Sequence, residues 1–219
     1  MDIFDLIGPI MVGPSSSHTA GAARIGFVAR KLLGEEPAKA EIILHGSFAA
    51  TGRGHGTDRA IIAGLLGMRP DDGRIPNSFE IAWQQGLDFS FELKELRAAH
   101  PNTAKLHLTG VSGRELDITA ASVGGGRIEV RELQGMPMCF MADKPTLLIS
   151  NTDQPGSISE VSRLLADEHI NIATFHVNRS SRGGRAIMVI ECDAAVSPET
   201  VKAIADAPGI LSAAFIDPD

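Results

Sequence analysis

The last 75 residues of the chain place short β-branched runs and amphipathic segments in one definite order. The β-branched runs predict four strands, and the amphipathic segments predict two helices. In chain order these are "TLLISN", "SISEVSRLLADEH", "INIATFHVNR", "AIMVIEC", "SPETVKAIADA" and "GILSAAFI". Ser197 and Pro198 are a strong helix start, because serine is a preferred N-cap and proline fits the first helical position. The predicted order is strand, helix, strand, strand, helix, strand.

A βαββαβ order is typical of the ferredoxin-like arrangement, and we predict it for residues 145–219. Residues 1–140 have a different pattern, with helices first and antiparallel strands after them. A helix is predicted from His18 to Leu33, closed by Gly34, and another after an N-cap at Thr57. Together these predict an α+β domain whose helices pack on one antiparallel or mixed sheet. The boundary between the domains 1–140 and 145–219 is expected within "QGMPMCFMADKP".

The strand and helix patterns between Leu33 and the boundary fill in this first domain. "AEIILHGSF" predicts a buried strand, and residues 77–85 predict a short helix. "LDFSFEL" predicts a strand, "KLHLTG" and "RELDITAA" predict a hairpin around "VSG", and another strand follows three consecutive glycines.

Charge and composition exclude several classes of function. The net charge is −7, so the phosphates of a nucleic acid would be repelled. No apolar run reaches the roughly 18–20 residues that span a membrane. The first ten residues carry no positive region ahead of their apolar ones, so no signal peptide is expected. These features predict a cytoplasmic protein that binds neither membrane nor nucleic acid.

Cysteine usage limits the metal sites that this chain can build. Cys139 and Cys192 are the two cysteines, far apart in sequence. They exclude a thiolate zinc site and a four-cysteine iron–sulfur site within the chain. We expect both to be buried as small apolar side chains.

The stretch "GPSSSHTAG" at residues 13–21 holds more hydroxyl groups than a helix cap requires. Ser15, Ser16, Ser17 and Thr19 precede a predicted helix, whose N-terminus favours a carboxylate or a phosphate. His18 is able to transfer a proton near neutral pH. The pattern predicts an anion site, and the alternative is a cap in a loop that satisfies its own hydrogen bonds.

A second cluster, "GSFAATGRGHGTDR", is predicted to be a loop that joins a strand to a helix. It matches neither the dinucleotide-binding fingerprint nor the P-loop. His55 lies between two glycines, which leaves its imidazole unshielded, and Thr57 and Asp58 then cap the helix. A functional histidine is one interpretation, and an ordinary surface histidine is the other.

Two weaker motifs lie further along the chain. "HPNT" at residues 100–103 is either part of a site or a turn before a strand. The three glycines of "SVGGG" at residues 122–126 weaken a strand interior, which suggests close approach of a ligand or a partner.

Residues 145–219 resemble an ACT domain, a small amino-acid-sensing module. The resemblance rests on the βαββαβ order, on the turn "DQPG" at residues 153–156 and on "INIATF". It implies that an amino-acid effector binds at the start of the first helix, near Asp153, Gly156 and Ser157. It also implies that such domains pair with each other. The alternative is a packing module without a ligand.

The motifs "GPSSSHTAGAARIG", "HGSFAATGRGHGTD", "HPNT" and "SVGGG", followed by an ACT domain, resemble the β chain of iron–sulfur-dependent L-serine dehydratase (L-serine ammonia-lyase). The resemblance spans essentially the whole chain. It implies, for residues 1–140, the fold of the allosteric substrate-binding domain. It also implies conversion of L-serine to pyruvate and ammonia.

The cofactor implied by this resemblance is a [4Fe–4S] cluster that acts as a Lewis acid on the serine hydroxyl. Because such a cluster needs about three cysteines, it is expected on a separate α chain, with no metal bound by this one. The resemblance implies that His55 is the base, with His18 as its competitor. Ser15, Ser16, Ser17 and Thr19 would hold the substrate carboxylate, and Thr57 and Asp58 would orient the loop.

Two other interpretations remain open. One is a purely regulatory subunit, with all chemistry on the partner chain. The other is a free-standing ACT sensor that docks on other enzymes. A pure anion sensor needs donors and positive charge, but it does not need an imidazole flanked by glycines.

Overall fold

A computed structural model describes residues 10–217. The predicted absence of a signal peptide concerns residues 1–10, which lie almost wholly outside the described part. The chain forms two compact units that divide between Gly135 and Met136. Among the helices of residues 10–217, none has the length and apolar content that a membrane crossing needs.

Within residues 10–135, the first unit contains a short π-helical turn, four α-helices and five strands. The turn is Ser16–Ala20, and the helices are α1 Gly21–Leu33, α2 Gly46–His55, α3 Thr57–Leu65 and α4 Ser78–Gln84, the last preceded by a 3₁₀ turn at Ile75–Asn77. The strands are β1 Pro37–Leu44, β2 Asp88–Leu93, β3 Thr103–Gly110, β4 Glu115–Gly124 and β5 Arg127–Leu133.

The five strands of the first unit lie in the order β2-β1-β3-β4-β5. β1 pairs with β2 in parallel, since helices α2 to α4 connect them, and the other neighbours are antiparallel. The α+β prediction with a mixed sheet is therefore confirmed.

Helices α1 and α3 cross at two glycines. A Cβ on Gly26 would collide with the Ile61 carbonyl, and a Cβ on Gly64 would collide with the Ala23 carbonyl. The backbones therefore approach each other more closely than any side chain would allow. Gly34 ends α1 in the left-handed conformation, as predicted, with φ of 78°.

The second unit begins with β6, Met136–Phe140, and then follows the predicted βαββαβ order. Its elements are β7 Thr146–Thr152, α5 Ser157–Asp167, β8 Ile172–Arg179, β9 Arg185–Cys192, α6 Pro198–Ala205 and β10 Ile210–Ile216. The sheet has the order β10-β7-β9-β8 with antiparallel neighbours. Ser197 caps α6, and its hydroxyl accepts from the Thr200 amide at 3.2 Å.

The segment after β1 differs from the prediction of a glycine-rich loop. Residues 46–55 form helix α2, and β1 has already ended at Leu44. Gly56, with φ of 67°, is the N-cap of α3, so the prediction of Thr57 as the cap is wrong. A left-handed residue turns the chain between two consecutive helices, and glycine takes this conformation at little cost. Thr57 becomes the first helical residue, and it is fully buried.

Two smaller expectations also need correction or a new explanation. Cys192 is buried as expected, but Cys139 is exposed, because it alternates outward along the short strand β6. The glycines at 124, 125 and 126 all have positive φ and turn the chain from β4 to β5. A Cβ on Gly124 would meet no atom within 4 Å, so the turn itself explains the glycine there.

Candidate functional site

His18 lies in the π-helical turn ahead of α1, with hydroxyl groups at both of its ring nitrogens. Ser15 is the N-cap, and its Oγ accepts from the His18 amide at 3.2 Å. The Ser17 hydroxyl lies 3.1 Å from His18 Nδ1, and the Ser15 hydroxyl lies 3.4 Å from the same atom. On the other side of the ring, Ser47 Oγ lies 2.9 Å from Nε2. The ring is thus held by groups from two separate motifs.

His55, at the end of α2, packs against this histidine. The two ring centroids lie 4.9 Å apart, and the planes are tilted by 45°. The Thr19 hydroxyl donates to the His55 carbonyl at 3.0 Å, which ties the end of α2 to the π turn. Among the described residues, His55 Nδ1 is buried and has no hydrogen-bond partner. Buried polar atoms normally have a partner, so this nitrogen is available to a bound molecule.

The pKa of His18 is lowered from its ordinary value. Burial is the largest cause, because desolvation disfavours the charged ring, and the nearby imidazole of His55 adds to it. A hydrogen bond to the backbone of Ser47 opposes both effects on the pKa. His18 therefore favours the neutral form in the folded chain.

The "HPNT" turn fixes where α2 begins. Gly46 takes a left-handed conformation with φ of 56°, and a Cβ there would lie 2.6 Å from the Pro101 carbonyl oxygen. The Ser47 amide donates to that same oxygen at 2.7 Å. The start of α2 is thus pinned to the turn before β3, and the Ser47 hydroxyl takes its position from this contact.

The end of β4 brings the fourth motif to the same region. The Ser122 amide donates to the Asn102 carbonyl at 2.9 Å, and a Cβ on Gly21 would collide with the Ser122 hydroxyl. Within residues 10–217, Ser122 Oγ and Asn102 Oδ1 are buried without partners. All four motifs therefore meet around the start of α1. Several buried polar atoms there are available to bind a ligand or water.

The other predicted residues lie around the same helix starts. The Ser16 carbonyl accepts from the Gly21 amide and closes the π turn. Thr57 Oγ1 is buried and, within the described chain, without a partner. Asp58 Oδ1 accepts from the Arg59 amide at 2.8 Å. Thr57 and Asp58 thus shape the start of α3.

A groove of about 480 Å³ lies beside α2. Its lining is mainly apolar and comprises Leu44, Phe48, Ala49, Ala50, Gly54, Asp58, Phe79, Phe91 and Leu93. Phe48 also packs edge-on against His18, with the ring centroids 5.4 Å apart. The groove therefore adjoins the histidine pair.

The predicted effector site in the second unit has two distinct features. The Asp153 carboxylate accepts from the Gly183 amide and from Arg179 Nη1, each at 3.0 Å, and these bonds hold its pKa below the usual range. Gly156, with φ of 98°, precedes α5, and Ser157 Oγ is buried and unpartnered within the described residues. Asp153 therefore stabilises the turn between β8 and β9, whereas Ser157 Oγ is available to hydrogen-bond a ligand.

The residues of this chain do not fit an iron–sulfur cluster. Among residues 10–217, no three histidine, cysteine, aspartate or glutamate side chains are grouped to hold a metal. Cys192 is buried in the apolar core of the second unit.

Sequence reasoning did not single out Ser47 or Phe48. Both lie in the "HGSF" segment, which was predicted to continue a strand into a loop. The local sign of a helix in this segment is a glycine followed by a serine at the end of a strand, because serine also suits the first turn of a helix.

Comparison with known proteins agrees with this architecture. Residues 2–79 match the family model "Serine dehydratase beta chain", and residues 145–209 match the ACT domain model. The chain is 43% identical over 209 residues to "Probable L-serine dehydratase, beta chain" of Bacillus subtilis, covering 95% of this chain and 94% of the relative. This chain belongs to the family of L-serine dehydratase beta chains. The family resemblance inferred from the motifs is thereby confirmed.

Two further relatives differ in how much of their own length the match covers. "L-serine dehydratase, beta chain" of Peptoniphilus asaccharolyticus is 37% identical over 215 residues, which cover 98% of this chain and 97% of the relative. "L-serine dehydratase" of Streptomyces coelicolor is 34% identical over 167 residues, covering 65% of this chain but 36% of the relative. The matched region is thus about a third of that longer chain.

Proposed function

We propose that this chain is the β subunit of a [4Fe–4S]-dependent L-serine dehydratase (L-serine ammonia-lyase) and that it works with an α chain that carries the cluster. The observation that carries the proposal is the histidine pair, 4.9 Å apart, set among serine hydroxyls at the start of a helix. The name "beta chain" of two full-length relatives supports a partner chain. The longer Streptomyces relative supports the same view, since most of its length lies outside the match.

The helix start gives this site its affinity for the substrate carboxylate. Ser15, Ser16, Ser17 and Thr19 surround the first turn ahead of α1, where backbone N–H groups and the helix dipole favour an anion. Buried and unpartnered, Ser122 Oγ and Asn102 Oδ1 add a donor and an acceptor for the substrate. Serine is a fitting ligand because it carries a carboxylate, an ammonium group and a hydroxyl.

His55 is assigned as the base that removes the α-proton. Its Nδ1 has no partner within the described chain, whereas hydroxyl groups already occupy both nitrogens of His18. Loss of the α-proton and of the β-hydroxyl gives 2-aminoacrylate and water. The imine tautomer of 2-aminoacrylate then reacts with water and yields pyruvate and ammonia. A cluster bound to the partner chain would supply Lewis-acid activation of the leaving hydroxyl.

The test is anaerobic co-expression with an α chain, followed by an assay of pyruvate formed from serine. His55→Ala should lower kcat by about 10²–10⁴-fold, the usual contribution of general acid–base catalysis. His107→Ala is the matched control, because His107 pairs with Asp117 on the sheet. Near-normal turnover of the His55 variant would remove it from this role.

A regulatory role of the second unit is proposed beside the catalytic one. Ser157 Oγ, buried and unpartnered within the described residues at the start of α5, supports binding of an amino acid there. Calorimetry of the full chain with each of the twenty amino acids tests it, and Ser157→Ala should abolish the heat. The absence of heat with every amino acid would contradict it. Pairing through residues 145–219 is a further expectation, which sedimentation can measure.

A further inference from the structure

Ser47 links the two histidine-bearing motifs of the candidate site. It is the second residue of α2, and its hydroxyl lies 2.9 Å from Nε2 of His18, which belongs to the turn ahead of α1. Neither the sequence motifs nor the family comparisons assign it a role. We propose that Ser47 is a positioning residue, whose hydroxyl fixes the orientation of the His18 imidazole beside His55.

The position of Ser47 is itself fixed by its backbone. Its amide donates to the Pro101 carbonyl at 2.7 Å, and its carbonyl accepts from the Thr51 hydroxyl at 2.9 Å. The left-handed Gly46 packs against Pro101 just before it. A hydroxyl held in this way has a defined position, so it can restrain an imidazole on a different segment.

His18 is restrained from two sides by this arrangement. Ser17 lies 3.1 Å from Nδ1 while Ser47 lies at Nε2. A neutral imidazole has one donor and one acceptor nitrogen, and two hydroxyls satisfy both. The ring therefore has no free nitrogen for the substrate, and a neutral ring does not repel a proton that arrives on His55.

The support of His55 follows from packing. The His18 ring packs against both Phe48, with the centroids 5.4 Å apart, and His55, with the centroids 4.9 Å apart. The groups that face His18 are these two rings and the hydroxyls of Ser15, Ser17 and Ser47, and among them the His55 imidazole is the ionisable one. Without the Ser47 hydroxyl, the His18 ring loses its hydrogen-bonding contact at Nε2 and can rotate about its side-chain bonds. The ring that packs against His55 is then less restrained.

The inference rests on the proposed function for its catalytic consequence, but not for the hydrogen bond itself. The experiment therefore has two arms. Nitrogen-15 NMR of the full chain follows the tautomer and pKa of His18 in the wild type, Ser47→Ala, Ser47→Thr and Ser112→Ala. Turnover of the same variants is measured with the α chain present. Ser112→Ala is the control because it removes a hydroxyl of the first unit that donates to Glu35 and not to the histidine pair.

We expect Ser47→Ala to change the tautomer of the His18 ring, since it removes the hydroxyl that lies 2.9 Å from Nε2, and to lower kcat about 10- to 100-fold through misplacement. KM should change less than kcat, and Ser47→Thr should restore both signals. An unchanged His18 spectrum in Ser47→Ala, or an altered spectrum with normal turnover, would overturn the proposal. An inactive wild-type complex would contradict the proposed function, and the NMR arm would still decide the bond.

Discussion

The imidazole rings of His18 and His55 lie with their centroids 4.9 Å apart, one in the turn ahead of α1 and the other at the end of α2. Two positive charges at this distance repel each other, so protonation of His55 disfavours protonation of His18. His18 has its nitrogens bonded within the chain, and His55 Nδ1 has no partner there. In this pair, hydrogen bonds restrain the His18 ring, whereas His55 Nδ1 is available to a ligand.

This division predicts the titration of His18. Its pKa should lie below 6.5, and His55→Gln should move it back towards that value, because the glutamine removes a charge that disfavours the protonated ring. Chemical shifts of the ring protons across pH 5–8 measure both values. His107→Gln should leave the His18 titration unchanged. A His18 pKa that does not respond to His55→Gln would contradict the electrostatic coupling.

The stability of the first unit should depend on pH through the same residue. The folded-state pKa of His18 is lower than its unfolded value of 6.5, so the unfolded chain binds the proton first as the pH falls. The contribution of His18 is therefore present above about pH 6.5 and is lost as the pH falls through the folded pKa.

Urea unfolding at several pH values checks this sign. Trp83, the single tryptophan, belongs to α4 and reports on the first unit by its fluorescence. The free energy of unfolding should fall less between pH 7.5 and pH 5 in His18→Gln than in the wild type. An equal fall in both proteins would show that other groups dominate.

The sequence was sufficient for most elements of the fold, and the reason is visible in particular residues. Ser197 and Pro198 start α6 as predicted, and Gly34 ends α1, because these signals act within a few residues. The prediction failed at residues 46–55. Glycines at 52 and 54 weaken the helical pattern, but contacts of α2 with the π turn and with Pro101 outweigh that preference.

The candidate site was predictable only in part for a related reason. The sequence identified His18, His55 and the serines between residues 15 and 17. It gave no sign that Ser47 would reach His18, because that contact depends on where Pro101 holds the start of α2. Long-range contacts of this kind have no local sequence signal.

The two cysteines should differ sharply in reactivity. Cys139 is exposed, whereas burial raises the pKa of Cys192 to about 11, with Asp193 and Glu168 adding to the effect. At pH 8 a thiol of that pKa is only about 0.1% thiolate, and the thiolate is the reactive form. A thiol reagent should therefore modify one cysteine in the native chain and both in urea. Mass spectrometry should find the native label on Cys139, and rapid labelling of Cys192 would contradict the burial.

Gly46 should be the glycine of α2 on which both stability and activity depend. Its φ of 56° costs an alanine about 1–2 kcal/mol, and the added Cβ would also lie 2.6 Å from the Pro101 oxygen. Gly46→Ala should therefore lower the melting temperature of the first unit. It should also lower turnover with the α chain, because the Ser47 hydroxyl moves with the helix start. For the melting temperature, Gly54→Ala is the matched control, since a Cβ there meets no atom within 4 Å and alanine favours a helix. A Gly46 variant as stable as the Gly54 variant would show that the turn at Pro101 does not set the position of α2.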